Sequence, residues 1–344
     1  MSTAFEKDIF RQDDDYTAED FTFVQEGEVL EDKNYAATSF WGDVWHSFRK
    51  NKGAVAGMIV ILIIIFMAII GPMISGHTYD EIEITHQNLP PLIPSPKFRI
   101  PFFTGTERGI DVYAQRGIDT AYWFGTDTNG RDLFTRVWQG TRISLIIALS
   151  AVVIDIVIGM TYGLVSGYFG GKVDMVMQRI VEILNGIPTL VVVTLLGLVL
   201  PSGIISIIFA LMITGWIGMS RIARAEVLKL KESEYILASK TLGAKNFSII
   251  FKDILPNIFG QLIIMAMFSI PNAIFTEAFL SFVGLGIQPP QASLGSLISD
   301  GYKSLTIHPY MIAIPVIVLA LLMLSFNLFA DGLRDAFDPN MKQQ

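Results

Sequence analysis

Six uninterrupted apolar runs dictate most of what this chain can become. They lie at roughly Ala54–Ile70, Ile143–Tyr162, Ile180–Leu200, Ile204–Met219, Ile258–Val283 and Met311–Ala330. A helix of about 20 apolar residues matches the roughly 30 Å hydrocarbon core of a bilayer. A helix also satisfies its own backbone hydrogen bonds there, which an isolated strand or loop cannot do. A soluble domain that is 51% hydrophobic would spread its apolar residues periodically, whereas here they gather into blocks. The mean hydropathy of +0.50 reflects those blocks. The expected fold class is an all-α membrane protein with six transmembrane helices.

Several chemistries are excluded by residues the chain lacks. The 344 residues include no cysteine, which removes disulfides, thiolate catalysis and cysteine-ligated zinc. The four histidines (His46, His77, His86, His308) are scattered without metal-ligand spacing, so no metal site is expected. A phosphate loop needs G-x-x-x-x-G-K-[ST]; the nearest approach, SGYFGGKV at 166–173, lacks the first glycine and the final hydroxyl. There is no G-x-S-x-G elbow, and no catalytic residue is assigned. Any energy source must lie on a partner. The net charge of −7 carries no basic face for nucleic acid.

Charge placement orients the spans. Residues 1–53 read as an acidic cytoplasmic tail (RQDDDYTAED, EGEVLEDK) followed by an aromatic amphipathic segment, FWGDVWHSFRKNK, expected to lie along the inner membrane surface. Arg49, Lys50 and Lys52 precede the first run, which favours an inside N-terminus. That run, 54–72, lies too far from the N-terminus for a cleavable signal and is expected to be an uncleaved anchor closed by Gly71-Pro72. An outer loop follows over 73–140, with extended chain enforced by the prolines of NLPPLIPSPKFRIP. Residues 141–332 form a five-helix core, and 333–344 a second cytoplasmic tail. Both termini, Gly167–Arg179 and a polar loop at 221–257 then face the cytoplasm, at the cell (plasma) membrane.

The 221–257 loop carries seven Lys/Arg in 37 residues. Tyr235, Ala238 and Leu242 recur at helical spacing, the pattern breaks at Gly243, and Phe247, Ile250, Phe251 and Ile254 resume it before Pro256. Two short amphipathic helices meeting at a glycine turn are expected, with Pro256 ending the second. Glu234, Tyr235, Ala238, Leu242, Gly243 and Ala244 would face a docking partner, with Leu255 and Pro256 near the return to the membrane.

These residues resemble the cytoplasmic loop signature of ABC-importer permeases: E-A-A, three residues, G, nine residues, I-x-L-P. Ala238, Gly243 and Leu255-Pro256 fall at that spacing, while Leu237, Ser239 and Asp253 depart from it. Residues 123–145, WFGTDTNGRDLFTRVWQGTRISL, and EAFLSFVGLGIQPPQASLG at 277–295 resemble the C-type permease of oligopeptide and dipeptide importers. The resemblance covers most of 120–340 and implies an ABC type I importer core. It further implies a second homologous permease, two ATP-binding subunits that hold ATP and Mg, and an extracellular peptide-binding protein. This chain would bind no cofactor of its own. Nucleotide-driven closure of the ATPases would push the 221–257 corner and rock the spans. The implied function is uptake of oligopeptides, with dipeptides, nickel chelates or glutathione-like molecules as alternative cargo. A secondary transporter is the alternative of another class, but no repeat relates the two halves. A membrane-bound enzyme lacks a nucleophile or metal constellation.

Two acids sit within apolar runs, where ionisable groups cost roughly 2.5–3.5 kcal/mol near the centre. Asp155 and Glu277 either face a water-filled path, or each other, or anchor neighbouring helices; Glu182 and Asp331 lie near span ends. Gly159, Gly163, Gly167 and Gly171 form a stripe at every fourth residue, suited to close packing against the fifth span or a partner subunit. Pro188, Pro271 and Pro315 interrupt spans and are expected to kink them.

Overall fold

A computed structural model describes residues 40–94, 101–107, 109–200 and 203–337. The expected acidic tail at 1–39, part of the proline-rich stretch and the end of the C-terminal tail lie outside these residues. The chain divides into two units, Met1–Asp43 and Val44–Gln344. Only the start of one helix is described in the first, and the architecture below belongs to the second.

Helix α1 (Phe40–Lys50) is amphipathic, burying Val44 and Phe48 while Trp45 stays exposed under the Arg49 guanidinium, 4.6 Å from its ring centroid. Val44 and Phe48 pack with Ala54 and Ala336. Helix α2 (Lys52–Ile74) starts at Asn51, whose side chain accepts from the Ala54 amide. It leaves Ile59, Leu62, Ile63, Phe66 and Ile69 exposed, an apolar surface suited to lipid tails.

Gly71-Pro72 does not close α2, as the sequence had suggested; the helix runs through to Ile74. Pro72 has no N–H for the Ala68 carbonyl. Arg142 supplies donors instead: its Nε and Nη2 bond Ala68 O at 3.0 and 2.8 Å, and Nη2 reaches Ile69 O at 3.2 Å. Trp138 lies over Gly71, where a Cβ would come within 2.7 Å of the indole. Arg142→Met should therefore loosen α2 from the core by about 1–3 kcal/mol, since the Ala68 carbonyl is left without a donor. A lower thermal unfolding midpoint of purified protein, partly restored by Arg142→Lys, would register it; an unchanged midpoint would refute the link.

Between the first two spans, the described residues of 75–94, 101–107 and 109–132 include a small cap. It contains a two-residue hairpin, β1 (Thr106–Glu107) and β2 (Ile110–Asp111), then α3 (Val112–Arg116). Leu89, Val112, Tyr113 and Tyr122 form its core. Tyr113 Oη donates to Pro90 O at 2.8 Å, and burial pushes its phenol above the ordinary range, so it stays a neutral donor. Tyr122 is likewise pushed up to about 12 by burial.

Helix α4 (Leu133–Ile154) begins ten residues before the apolar run. Asp132 caps it, accepting from the Phe134 and Thr135 amides. Arg136 enters this buried end because Asp127 and the Tyr79 carbonyl receive it. A π-turn (Asp155–Met160) continues into α5 (Thr161–Phe169), making one 37-residue span. The third expected span is not straight: α6 (Gly171–Asn185) and α7 (Thr189–Val199) meet at 78°. Pro188 cannot continue the preceding helix and opens the next. The fourth span is α8 (Ile204–Thr214) and α9 (Ile217–Leu230), stepped at Gly215-Trp216. After α10 (Glu234–Thr241), α11 (Asn246–Ser248) leads through a second π-turn (Ile249–Ile254) into α12 (Leu255–Phe282). A short α13 (Leu294–Lys303) and a final span α14 (Tyr310–Phe337) complete the chain.

Among the described residues, five helical stretches are long and apolar enough to cross a membrane, six if the bent α6–α7 pair is one span. α12 packs on α4, α14 and α13, while α2 packs on α14 and α4. Pro271 and Pro315 lie inside α12 and α14, which remain single helices.

Candidate functional site

The polar loop is shorter than the sequence suggested, because α9 extends to Leu230 and leaves the corner to residues 231–245. Helix α10 is held by one fully buried side chain, Ile236, which joins Val227, Ile249 and Ile254 in a local core. It ends in a Schellman turn: Gly243 N donates to Lys240 O at 3.0 Å and Ala244 N to Ser239 O at 3.1 Å. Gly243 takes φ +80°, a conformation only glycine adopts cheaply, and no atom lies within 4 Å of where its Cβ would be.

The outward face of the corner is apolar. Leu242 is 88% exposed and Phe247 71%, with Tyr235 and Leu237 about half exposed beside them. Glu234, Ala238, Gly243 and Ala244 are exposed with them, so the structure gathers six of the eight sequence-selected corner residues. Leu255 and Pro256 are not among them. They belong to the continuous helix that starts at Asn246, about 14 Å further along its axis. Pro256 does not end that helix. The π-turn precedes the missing N–H, and Asn257 Nδ2 donates to Asp253 O at 2.6 Å to cap a nearby carbonyl.

Tyr168, which sequence patterning did not single out, joins the corner to the spans. Its hydroxyl donates to Asn246 Oδ1 at 3.0 Å, and the Lys240 ammonium sits 5.2 Å from its ring centroid. It therefore touches both helices flanking Gly243. Tyr168 stands on α5, and α5 is fitted to α9 by the glycine stripe. A Cβ on Gly159 would lie 2.7 Å from Trp216 O, one on Gly163 2.6 Å from the Ala223 Cβ, and one on Gly167 2.9 Å from the Val227 Cβ. The stripe's neighbour is thus α9, rather than the fifth span or a partner subunit. Gly171, at φ +53° with open space around it, stands outside the stripe. Asp174 and Arg224 close the same junction with a two-pronged ion pair at 2.6 and 2.5 Å.

The two intramembrane acids have separate surroundings. Glu277 is fully buried: Ser144 Oγ donates to Oε2 at 2.8 Å and Ser281 Oγ to Oε1 at 2.7 Å. Ser293, which caps α13, donates to Ser281 Oγ at 3.2 Å. Glu277 therefore ties α4, α12 and the start of α13. Asp155 is 5% exposed and, with Ser269, lines a cavity of about 250 Å³. Glu277 is absent from that lining and lies eight residues beyond Ser269 on α12, about 12 Å of helical rise. The acids do not face each other.

Membrane-length helices that bend, step and unwind around a cavity holding a buried acid, together with an exposed apolar corner, have the build of a transport permease. The chain belongs to the family of binding-protein-dependent transport system inner membrane components, whose pattern matches residues 156–343. Residues 39–91 match a second pattern, the N-terminal TM domain of oligopeptide transport permease C. It is 44% identical over 306 residues to the dipeptide transport system permease protein DppC of Bacillus subtilis (strain 168), covering 89% of this chain and 87% of that one. It is 43% identical over 305 residues to the oligopeptide transport system permease protein OppC of the same strain, covering 89% and 91%. A DppC of Lactococcus lactis subsp. cremoris (strain MG1363) is 45% identical over 320 residues, covering 89% and 92%. Among solved structures, an inward-facing MetNI methionine ABC transporter aligns with a TM-score of 0.50 at 19% identity. That alignment covers 59% of this chain and 97% of the other, and it shows the shared ABC importer permease fold.

Proposed function

We propose that this chain is the C-type permease subunit of an ATP-driven importer of oligopeptides. It pairs with a second homologous permease, and two ATPase subunits holding ATP and Mg dock on the corner at 234–244. An extracellular binding protein delivers cargo to the outer cap. Both termini and the corner face the cytoplasm, in accord with Arg49, Lys50 and Lys52 before α2. The observation that carries this reading is the exposed Leu242, Phe247, Tyr235 and Leu237 around a glycine turn. A contiguous exposed apolar patch rimmed by polar residues marks a contact surface, and this one sits on a charged loop suited to a protein partner. In the relatives named above, the printed cargo is oligopeptide in one and dipeptide in two, so dipeptide import by the same architecture is the second reading.

Gentle affinity purification from native membranes, with mass spectrometry of every co-purifying chain, tests the assembly. A second permease and one or two nucleotide-binding subunits are expected. Reconstitution of that complex with its binding protein should give ATP-dependent uptake of tri-alanine and longer peptides; uptake of dipeptides alone would select the second reading. Recovery of this chain by itself, with transport retained without ATP, would overturn both.

A further inference from the structure

We infer that the cavity beside Asp155 is a transit site for a primary ammonium group of the cargo, so that Asp155 is a binding residue on the translocation path. This rests on the peptide-importer reading and names a chemical contact within it.

The first observation is convergence. Three backbone irregularities of the spans converge on one cavity: the π-turn through Asp155, the α6–α7 bend through Thr189, and the α8–α9 step through Thr214 and Gly215. Non-helical backbone at membrane depth is tolerated where it lines a cavity or is buried in protein. In transporters, interrupted helices mark binding sites.

The second observation is the chemistry of the lining. Asp155 is buried within a span, and no ion pair among the described residues includes it. The lining contains no Lys, Arg or His. Thr214 and Thr276 hydroxyls donate to carbonyls of their own helices, Ala210 O at 3.4 Å and Asn272 O at 2.8 Å. With their hydrogens so used, these two lining hydroxyls can act only as acceptors, as the carboxylate does. The cavity thus offers acceptors, and it fits a cation that carries several N–H donors. A metal ion is a poorer match, since no group of three His, Asp or Glu occurs among the described residues. At about 250 Å³ the cavity is smaller than the roughly 300–1,000 Å³ of pockets that enclose whole ligands, so it receives one end of a peptide. A peptide amino terminus and a lysine side chain share the required chemistry.

The test uses the full importer complex in nanodiscs without its binding protein, and equilibrium binding of three probes. These are tri-alanine, its des-amino analogue propionyl-alanyl-alanine, and propionyl-alanyl-lysine. The wild-type complex should bind tri-alanine at least about tenfold more tightly than the des-amino probe, the effect of removing one partner of a buried charge pair. Asp155→Asn should erase that preference, leave the des-amino probe unchanged, and be partly rescued by Asp155→Glu. Tight binding of propionyl-alanyl-lysine would extend the site to side-chain ammonium; weak binding would confine it to the amino terminus. Equal affinity of the wild-type complex for tri-alanine and its des-amino analogue overturns the inference without recourse to any variant. So does an Asp155→Asn complex that no longer retains the second permease, which would make Asp155 a subunit contact. ATP-driven tri-alanine uptake by the wild type is measured in parallel. Its loss would sink the peptide reading, whereas its presence beside unselective binding would sink only this site.

Discussion

Gly163→Val is expected to leave almost no folded protein in the membrane. The added Cβ would lie 2.6 Å from the Ala223 Cβ and 2.9 Å from Arg224 N, and closer still to Ser220 O. Two of these neighbours are backbone atoms of α9, which no rotamer change can move. Overpacking a core costs about 1–3 kcal/mol when side chains can give way, and the cost here should exceed that range. The whole α5–α9 contact would open, taking with it the Asp174–Arg224 pair and the seat of Tyr168. Quantitative blotting of washed membranes should show the variant at a small fraction of wild type. Gly197→Val is the control: it sits in an equally apolar helix, and no atom lies within 4 Å of its Cβ position. Equal abundance of the two variants would show that the stripe does not hold the helices together.

Gly243→Val should do the opposite, leaving the protein abundant and assembled but unable to transport. No atom stands near the added side chain, so the penalty is conformational only. Valine at φ +80° costs about 1–3 kcal/mol, enough to favour another turn geometry at a site with few other restraints. Leu242 and Phe247 would then no longer present one surface. Peptide uptake should fall about tenfold or more, with ATP hydrolysis no longer stimulated by loaded binding protein. Gly243→Asn, a residue that tolerates the left-handed region, should keep much of the activity. Normal uptake by Gly243→Val would sink the docking proposal.

The membrane class and the corner were legible because both depend on local pattern. Apolar blocks announce spans whatever packs on them, and the break at Gly243 lies in six consecutive residues. What escaped was non-local. Arg136 and Arg142 gave no sign that the first turns of α4 are buried, because a charge ordinarily marks water. Here the carbonyls of Tyr79, Ala68 and Ile69 take the place of water, and those lie more than fifty residues away. Pro188 announced a kink, but not its size: the 78° turn between α6 and α7 depends on what each helix packs against. Pro256 read as a stop, yet the preceding π-turn had already removed the need for its N–H. The glycine stripe declared close packing but not its partner, since the facing residues of α9 lie nearly sixty positions further along the chain. The separation of Asp155 from Glu277 depended in the same way on which helices meet, and Tyr168 had no distinguishing pattern at all.

The π-turn at Asp155–Met160 also sets a reading frame for the span Leu133–Phe169. Such a turn holds one residue more than an α-turn, so everything after it is rotated by about 100° relative to an unbroken helix. Before the turn, the span addresses α2, α12 and α8; after it, the same rod addresses α9. Deleting a single residue such as Ile156 would preserve composition, hydrophobicity and helix length almost unchanged. It would nonetheless swing Gly163 and Gly167 off α9 and carry Tyr168 away from Asn246, severing the corner from the membrane. In this span a frameshift of one residue has a consequence at the level of folded geometry, with the genetic code untouched.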